Sequence, residues 1–574
     1  MNDVTHGEQH PPPSVVEGGP LSGEPGLGAL TLPGFLREVT LKFSEREAVV
    51  LRSPDGIERC TYASLWDHAI DVARALVACG VTKASRVGVL MTNRPEWIAS
   101  MFGVGLAGGV AVTLSTFSTP AELDYLLQSS CVSVLLLERI VDKKDFTHIL
   151  CDLEPAIRGA SVGALMSVRY PFLRYLAVLG EELDGSIDTW SNFLARGHSV
   201  SVDLIRHISD NVRPSDTGSI FFSSGTTDKP KGILNSHRAM AIQCWRSRRL
   251  FALKDDVRCW SANGFMWSGN FVMALGGTLA AGGALVLQRL FRPEEALALM
   301  QAERVTLPIA WPHQWAQLQS ASNWNDVDLS SLRYVDPASP AAQHPSVSAQ
   351  WSEPRWAYGN TETFTVSVSF PSGTPPEVAR GSHGLPLPGN ILKIVDPDTG
   401  TITPRGTRGE IAIKGPTLMQ GYLGIPSDET LDDEGFFLTG DGGYVDRDGR
   451  LFWEGRLTEV IKTGGANVSP MEVDSELTAL PGVRMGKTVG MPHDTLGEMV
   501  VACVVAYEGA LLTEQGIRAL LKSKLASYKV PRRVFFVQDD ELSLTGSAKI
   551  RLSSLRELIL KKMNCEGLPP NDIA

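Results

Sequence analysis

The sequence predicts an α/β protein with largely parallel sheets, and three features of its patterning support this fold class. Apolar runs typical of strands alternate with helical runs from about residue 30 to residue 440. The strand-like runs are continuously apolar, as in parallel strands that are buried on both faces. Beyond them the texture changes twice, first to short strands with turns and then to a smaller mixture of helices and strands.

The alternation begins with RVGVLM (86–91), a helical NRPEWIASMFGVGLAGG and VAVTLS (110–115). The same pattern recurs at VSVLLLE (132–138), SIFF (219–222) and ALVLQ (284–288). The stretch from 259 to 288 has no charged residue, so a membrane helix is one interpretation of it. Its internal glycines and strand-like end favour a buried helix that leads into a buried strand.

Around 385–455 short strands with turns follow one another, and they predict a β-rich subdomain of hairpins. After Arg456 the chain predicts a smaller α+β unit. Its helical runs are MEVDSELTAL, TEQGIRALLKSKLA and a final helix near SSLRELILKKM, and VVACVVAY is typical of a strand.

Composition narrows the function. The chain has 574 residues, enough for two or more domains, and a formal net charge of −11, which makes a nucleic-acid surface an unfavourable hypothesis. Its eight cysteines are scattered without a C-x-x-C pair, a pattern that favours free thiols in a reducing compartment. The N-terminal residues 1–28 are rich in Pro and Gly, lack signal-peptide features and predict a flexible tail. We therefore expect a cytoplasmic protein.

Gly103, Gly105 and Gly108 form a G-x-G-x-x-G, the spacing of a dinucleotide-binding turn. Such a turn follows a strand and opens a helix, whereas these glycines close a helix and precede a strand. Close packing is the better interpretation.

The stretch SSGTTDKPKG (223–232) has the chemistry of a phosphate-binding loop. Glycines let backbone N–H groups turn towards an anion, hydroxyls add donors and lysine neutralises charge. The preceding SIFF predicts a strand and the following NSHRAMAIQCW a helix capped by Asn235 or Ser236. The alternative is a polar surface loop, and the spacing is not that of a Walker A motif.

This loop resembles the S-S-G-T-T-G-x-P-K-G segment of the acyl-adenylate-forming superfamily, which includes acyl-CoA synthetases, peptide-synthetase adenylation domains and beetle luciferases. Four later segments resemble the family's other motifs in the family's order: YGNTE, TGDGGYVDRDGRLFWEGR, VIKTGGANVSPMEVDSEL, and YKVPRRVFFV with LSLTGSAKIRL. The resemblance covers about residues 30–560. It implies an N-terminal adenylation domain (29–456) of two mostly parallel α/β sheets plus a β-rich subdomain, and a small mobile α+β C-terminal domain (457–574).

The resemblance also implies roles for individual residues in binding ATP. Tyr358 would stack on adenine beside Gly359, Thr361 would contact the α-phosphate, and Glu362 would hold Mg²⁺ together with Thr226. Asp441 would bind the ribose with support from Arg456. The residues that would hold the β- and γ-phosphates are Ser223, Ser224, Gly225, Thr226, Thr227 and Lys231.

Lys549 is the catalytic lysine by resemblance, with Thr226 and Glu362 as its catalytic partners at the phosphates. In the family the small domain rotates after adenylation, withdraws this lysine and presents another face for thioester formation. The residues expected at CoA are Lys462, Gly464, Gly465 and Tyr528.

Several positions depart from the family pattern. Asp228 replaces the second glycine of the phosphate loop, and we expect its carboxylate to face away from the phosphates because like charges repel. Thr458 stands at the hinge, Ala548 precedes the catalytic lysine where glycine is usual, and Met266 takes the place of a histidine. Because every charged catalytic position is filled, we expect an active, divergent enzyme.

The expected function is an ATP-dependent carboxylate:CoA ligase that forms an acyl-adenylate and releases AMP and pyrophosphate. Met266, Trp267 and Trp311 are expected at the acyl pocket, where bulky side chains favour a medium-chain, alicyclic or aromatic acid. Two alternatives are an adenylating enzyme that loads a separate carrier protein and a nucleotide-binding homologue that has lost turnover. The expected ligands are the acid, ATP, Mg²⁺ and CoA, without nucleic acid or a membrane-spanning segment; a homodimer was also considered.

Overall fold

The structure is a computed structural model that describes residues 11–53, 56–180, 185–223, 230–354, 356–463, 466–493, 495–525, 527–543 and 550–565. Its chain divides into two compact units. The larger unit comprises Glu17–Ile391 and Ile413–Phe437. The smaller unit comprises Met1–Val16, Leu392–Ala412 and Leu438–Ala574. The β-rich region therefore groups mainly with the C-terminal residues, while the proposed boundary at 456 and 457 stays a prediction.

The strands of the described residues are, in chain order, β1 (Val15–Glu17), β2 (Glu47–Ser53), β3 (Gly56–Thr61), β4 (Arg86–Leu90), β5 (Val110–Thr113), β6 (Val134–Glu138), β7 (Ile140–Val141), β8 (Lys144–Asp145), β9 (Tyr175–Leu179), β10 (Ile187–Thr189), β11 (Thr217–Ser223), β12 (Lys231–Ser236), β13 (Arg258–Ser261), β14 (Ala284–Leu287), β15 (Leu307–Ile309), β16 (Val368–Ser369), β17 (Leu385–Pro386), β18 (Ile391–Val395), β19 (Gly409–Lys414), β20 (Gly421–Tyr422), β21 (Phe437–Val445), β22 (Leu451–Arg456), β23 (Ile461–Thr463), β24 (Ala466–Val468), β25 (Val483–His493), β26 (Gly497–Ala506) and β27 (Arg533–Phe536).

The helices are α1 (Leu32–Phe43), α2 (Tyr62–Ala78), α3 (Pro95–Leu106), α4 (Pro120–Ser130), α5 (Phe146–Leu153), α6 (Ala156–Gly159), α7 (Trp190–Arg196), α8 (Val202–Asp210), α9 (His237–Leu250), α10 (Ser268–Asn270), α11 (Gly277–Ala281), α12 (Pro293–Ala302), α13 (Pro312–Gln319), α14 (Pro376–Ala379), α15 (Pro470–Thr478), α16 (Glu514–Lys522) and α17 (Leu552–Cys565). A π-helical turn, Phe271–Gly276, joins α10 to α11.

Two sheets dominate the larger unit, as the sequence predicts. The first has the order β10-β9-β6-β4-β5-β11-β12-β20 and is parallel from β10 to β11. The second has the order β15-β13-β14-β2-β3; it is parallel from β15 to β2, and β3 pairs antiparallel with β2. The predicted α/β class with mostly parallel sheets is confirmed.

The smaller unit also contains two sheets. One has the order β1-β18-β19-β21-β22, and it includes the predicted hairpin between β21 and β22. The other pairs β25 with β26 over most of their lengths, with β27 parallel to β26. The predicted C-terminal helices are present as α15, α16 and α17.

The uncharged stretch from 259 to 288 contains α10, the π-helical turn and α11, and it ends in the fully buried β14. This agrees with the prediction of a buried helix that leads into a buried strand. In the described part of the chain, no helix is both long and apolar enough to cross a membrane.

The glycines of the G-x-G-x-x-G also lie as predicted, at the end of α3 and before β5. A Cβ at Gly103 would approach the side chain of Val72 in α2 to 2.7 Å. Close packing of α3 on α2 therefore explains this glycine.

The prediction of a flexible tail over 1–28 is wrong for residues 11–28. Strand β1 joins a sheet, and Glu24 forms a buried ion pair with Arg246 of α9. The Arg246 Nε and Nη2 atoms donate to both Glu24 carboxylate oxygens at 2.8–3.0 Å. A high Pro and Gly content disfavours regular structure but does not prevent one buried carboxylate from anchoring a segment.

Ser236 caps α9 as predicted, since its hydroxyl accepts a hydrogen bond from the Ala239 amide. His237, the first residue of this helix, is buried, and its Nδ1 accepts a bond from the Leu32 amide at 3.4 Å. Burial lowers the pKa of His237 from 6.5 to about 4, because a charged imidazole would lose its hydration.

This shift predicts a pH-dependent loss of stability. His237 is neutral in the folded protein, whereas the same histidine in the unfolded chain takes up a proton below its ordinary pKa of 6.5. Folding stability should therefore fall as the pH drops from about 6.5 towards 4. His237→Asn keeps an acceptor near Nδ1 without a titrating group, so its thermal midpoint should fall less than that of the wild type over this range. Parallel pH profiles for the two proteins would contradict the prediction.

Candidate active site

The strands on the two sides of the predicted phosphate loop form a β-hairpin. Strands β11 and β12 pair antiparallel, and Ser223 is the register partner of Lys231. The expected strand–loop–helix arrangement is wrong, because KGILNS extends the sheet before α9 begins. Paired strands on both sides fix where the loop leaves the sheet and where it returns.

Several predicted site residues lie outside the described residues. They are Ser224, Gly225, Thr226, Thr227, Asp228, Gly464, Gly465, Ala548 and Lys549. Their roles, and the expected orientation of Asp228, stay predictions.

The segment that carries Glu362 folds into a tight turn between Tyr358 and Val368, whose backbones pair at 2.8 and 3.1 Å. Inside the turn, the Asn360 amide donates to the Thr363 hydroxyl and the Thr363 amide donates to the Asn360 side chain. A Cβ at Gly359 would lie only 1.6 Å from the Thr365 carbonyl oxygen. Only glycine fits this close approach.

The turn is strained at Phe364 and Thr365, which have φ angles of 47° and 81°. Left-handed backbone at non-glycine residues costs about 1–3 kcal/mol each, and a β-branched residue such as threonine is especially unusual there. Strain of this kind persists only where the surrounding structure holds the segment.

An aromatic cluster holds the turn. The ring of Phe364 is fully buried. Its centroid lies 5.5 Å from that of Phe221 and 6.1 Å from that of Phe271, both in edge-on contact. The centroids of Phe221 and Phe271 lie 5.9 Å apart. Phe221 belongs to β11, just before the phosphate loop, and Phe271 begins the π-helical turn after Trp267. The cluster therefore joins three predicted site segments.

Lys231, predicted to bind the phosphates, and Glu362, predicted to hold Mg²⁺, both contact a tyrosine that the sequence analysis does not identify. The Tyr422 hydroxyl donates to Glu362 Oε1 at 2.9 Å, and the Lys231 ammonium lies 4.9 Å from the centroid of the Tyr422 ring. The Glu362 carbonyl also accepts a bond from the Met419 amide at 2.7 Å. Nothing in MQGYLG distinguishes this tyrosine from a core aromatic.

The donor set is compatible with Mg²⁺. Among the described residues, no group of three or more His, Cys, Asp or Glu side chains could hold a metal. Mg²⁺ in nucleotide sites is usually bound by one or two carboxylates together with the substrate's phosphates. A single carboxylate such as Glu362 fits a metal ion that binds with ATP.

Tyr358 is buried, with 3% of its surface exposed, and Thr361 is half-buried in the strained turn. The burial of Tyr358 is also what an ordinary core aromatic would show. Adenine stacking by Tyr358 and α-phosphate binding by Thr361 stay predictions.

The segments expected at the acyl pocket are connected by a polar network. Met266 is buried, Trp267 is half-buried, and 48% of Trp311 is exposed at the start of α13. Gln314 of α13 accepts a bond from the Trp311 amide and donates to the Asn263 side chain at 3.2 Å. The structure thus ties α13 to the strand end that precedes Met266.

A second layer fixes the same strand end. The Asn263 carbonyl accepts bonds from Asn93 at 2.7 Å and from Asn270 at 2.6 Å, while the Phe265 amide donates to Asn93 at 2.9 Å. These asparagines were not identified from the sequence, because polar residues at strand ends are common and carry no distinctive spacing.

In the smaller unit, Asp441 and Arg456 are register partners of the β21–β22 hairpin. The Asp441 side chain is buried, and its Oδ1 lies 3.1 Å from Arg456 Nε. Arg456 also donates to the Thr439 carbonyl at 2.6 Å. The two residues predicted to contact the ribose are thus neighbours, while ribose binding stays a prediction.

The residues expected at CoA lie in the same unit. Lys462 is exposed on β23, and its amide donates to Glu498 at 2.8 Å. Tyr528 is 49% exposed, and its neighbour Lys529 forms an ion pair with Glu472 at 2.6 Å. CoA binding by Lys462 and Tyr528 stays a prediction.

Comparison with known families identifies the chain. The family described as AMP-binding enzyme matches residues 36–423, and the AMP-binding enzyme C-terminal domain matches residues 472–549. The chain belongs to the AMP-binding enzyme family. The resemblance drawn from the five sequence segments is confirmed.

Relatives extend over nearly the whole chain. The medium-chain acyl-CoA ligase ACSF2 (mitochondrial) of Danio rerio is 28% identical over 95% of this chain and 90% of its own length. The feruloyl-CoA synthase of an Amycolatopsis species is 30% identical over 86% of this chain and 93% of its own length. ATP-bound MatB from Rhodopseudomonas palustris has a similar structure, with a TM-score of 0.72 and 26% identity over 92% and 98% of the two chains. The predicted enzyme class, an AMP-forming acid–CoA ligase, is confirmed.

The close approach at Gly359 predicts that a larger residue there destabilises the protein. In Gly359→Ala the new methyl group would overlap the Thr365 carbonyl, so the turn must open and the free energy of unfolding should fall by about 2–3 kcal/mol. Urea unfolding measures this change. The matched control is Gly159→Ala, because a Cβ at exposed Gly159 meets nothing within 4 Å. Equal stabilities of the two variants would show that the turn tolerates a side chain.

Proposed function

We propose that this protein is an ATP-dependent carboxylate:CoA ligase that forms an acyl-CoA through an acyl-adenylate, with release of AMP and pyrophosphate. The observation that carries the proposal is the meeting of Lys231 and Glu362 at Tyr422, beside the hairpin of the phosphate loop. A cation and a carboxylate that contact the same side chain support this proposal, because a magnesium–triphosphate complex needs both kinds of group.

In the first half-reaction an oxygen of the substrate carboxylate attacks the α-phosphorus of ATP. The bond from the α-phosphorus to the bridging oxygen breaks, and pyrophosphate leaves with the electron pair. Lys231 and the phosphate loop neutralise the leaving phosphates, while Thr361 and Lys549 stabilise the charge that develops at the α-phosphate. Glu362 and Thr226 would hold Mg²⁺, which would lower the negative charge of the triphosphate.

We propose that Asp441 binds the ribose hydroxyls. Asp441 can accept two hydroxyl hydrogen bonds, and its ion pair with the partly exposed Arg456 orients the buried carboxylate. The β21–β22 hairpin sets the direction of both side chains, so the ribose site does not depend on a long flexible loop.

In the second half-reaction the CoA thiol loses its proton to solvent and its sulfur attacks the acyl carbonyl carbon; the bond from that carbon to the phosphate oxygen breaks, and AMP leaves with the electron pair. We propose that Lys462, Gly464, Gly465 and Tyr528 contact CoA. The exposure of Lys462 and Tyr528 supports this role, since both side chains are accessible to a ligand.

We propose a medium-chain, alicyclic or aromatic acid as the substrate. Bulky Met266, Trp267 and Trp311 would shorten or flatten an apolar cavity at this place, and the Gln314–Asn263 bond holds their segments together. By name, two relatives act on a medium-chain acid and on ferulate. The compartment we propose is cytoplasmic, supported by the free thiols of Cys60, Cys79, Cys131, Cys151, Cys244, Cys259 and Cys503.

Isotope exchange tests the proposal. Purified protein should catalyse ATP–pyrophosphate exchange that depends on an acid and needs no CoA, and it should release AMP and a thioester once CoA is added. A panel of acids of varied chain length and ring content identifies the substrate class. ATP binding without exchange across the whole panel would refute the ligase activity. If a thioester forms only on a phosphopantetheinylated carrier protein, the acyl acceptor is that carrier and not CoA.

Substitution of Lys549 tests its proposed catalytic role. Loss of its ammonium in Lys549→Ala should reduce the exchange rate by about 100-fold or more, since it removes a charge aimed at the transition state. Lys561→Ala, at an exposed position of α17, is the matched control and should exchange like the wild type. Undiminished exchange in Lys549→Ala would remove the residue from the mechanism.

A further inference from the structure

Tyr422 lies on the short strand β20, which pairs antiparallel with β12 of the phosphate-loop hairpin. Its register partner is Ile233, two residues after Lys231. The Tyr422 side chain is 9% exposed and packs with Ile233, Met419 and Phe437. The residue is therefore fixed by backbone pairing and by apolar contacts before any ligand binds.

The two ends of this side chain contact opposite charges. The hydroxyl donates to Glu362 Oε1 at 2.9 Å, and the face of the ring lies under the Lys231 ammonium at 4.9 Å. A residue needed only for packing would be served equally well by phenylalanine. The hydroxyl of Tyr422 instead points at the carboxylate proposed to hold Mg²⁺.

We propose that Tyr422 is a positioning residue for magnesium–ATP, acting through Glu362 and Lys231; this inference rests on the proposed function. Through its hydroxyl it restricts the Glu362 side chain to one orientation, and through its ring it fixes the reach of Lys231. One rigid side chain thereby sets the spacing between the carboxylate for the metal and the cation for the phosphates.

The backbone around Glu362 supports this role. The Glu362 carbonyl accepts a bond from the Met419 amide, three residues before Tyr422, so the same segment holds both the main chain and the carboxylate of Glu362. The strained turn at Phe364 and Thr365 fixes the other side of Glu362. The carboxylate is therefore oriented in advance of metal binding, which reduces the entropy lost on binding.

Tyr422→Phe tests the hydroxyl. A hydrogen bond to a charged acceptor contributes enough that its loss should raise the Mg²⁺ concentration for half-maximal ATP binding about tenfold. Calorimetric titration with ATP, in the absence of an acid substrate, measures this binding without turnover. ATP binding in the presence of a chelator should stay unchanged in Tyr422→Phe, because Lys231 keeps its ring contact. The KM for magnesium–ATP should rise in parallel.

Tyr422→Leu tests the ring. This variant also loses the cation–π contact, so its ATP binding without Mg²⁺ should weaken about threefold relative to Tyr422→Phe. Phe437→Leu is the matched control for packing, because Phe437 contacts the Tyr422 ring at 6.5 Å within the same apolar cluster. It should lower thermal stability while leaving the Mg²⁺ dependence of ATP binding unchanged.

The double variant Tyr422→Phe/Glu362→Gln separates positioning from general damage. If Tyr422 acts through Glu362, the double variant should show no greater loss of Mg²⁺ dependence than Glu362→Gln alone. A wild-type Mg²⁺ curve in Tyr422→Phe, or fully additive losses in the double variant, would overturn the positioning role. Absence of ATP binding by the wild-type protein would instead overturn the proposed function, and this inference with it.

Discussion

The contact among Phe221, Phe271 and Phe364 is the interaction on which the candidate site depends. It joins the strand before the phosphate loop, the π-helical turn after Trp267 and the turn that carries Glu362. Each aromatic pair contributes about 0.5–1.5 kcal/mol beyond its buried area, which is comparable to the cost of the left-handed backbone at Phe364. Without these rings the turn that carries Glu362 would relax to an unstrained backbone conformation, and the Glu362 carboxylate would no longer be held in one orientation.

In this site the buried residues and the charged residues have separate roles. The aromatic cluster and the pairing of β12 with β20 fix positions, and the half-buried side chains of Lys231 and Glu362 carry the charges. An anion-binding site needs this division, because a fully buried lysine or glutamate would tend to lose its charge. In the smaller unit the same logic applies to Asp441, whose burial is compensated by Arg456.

Much of this architecture could be predicted from the sequence, because continuous apolar runs and serine or threonine caps are local signals. The strands before and after α3 and the cap at Ser236 are examples. Strand β12 was missed because KGILNS is short and directly precedes a helix, so its pairing with β11 and β20 is a tertiary effect. Tyr422 and the anchoring of Glu24 were missed for the same reason, since each depends on a partner at least 60 residues away.

The ion pair between Glu24 and Arg246 also bears on the order in which the protein can fold during synthesis. Its two residues are separated by 222 positions, and Arg246 additionally donates to the Pro388 carbonyl. The eight-stranded sheet in turn waits for β20, which lies near residue 420. Because contacts of such large sequence separation form only after both partners have left the ribosome, the larger unit cannot close until about three quarters of the chain exists. The segment around Glu24 must therefore remain without these partners for most of translation. Prolines and glycines, which are frequent before Glu24, suit such a segment because they disfavour regular structure.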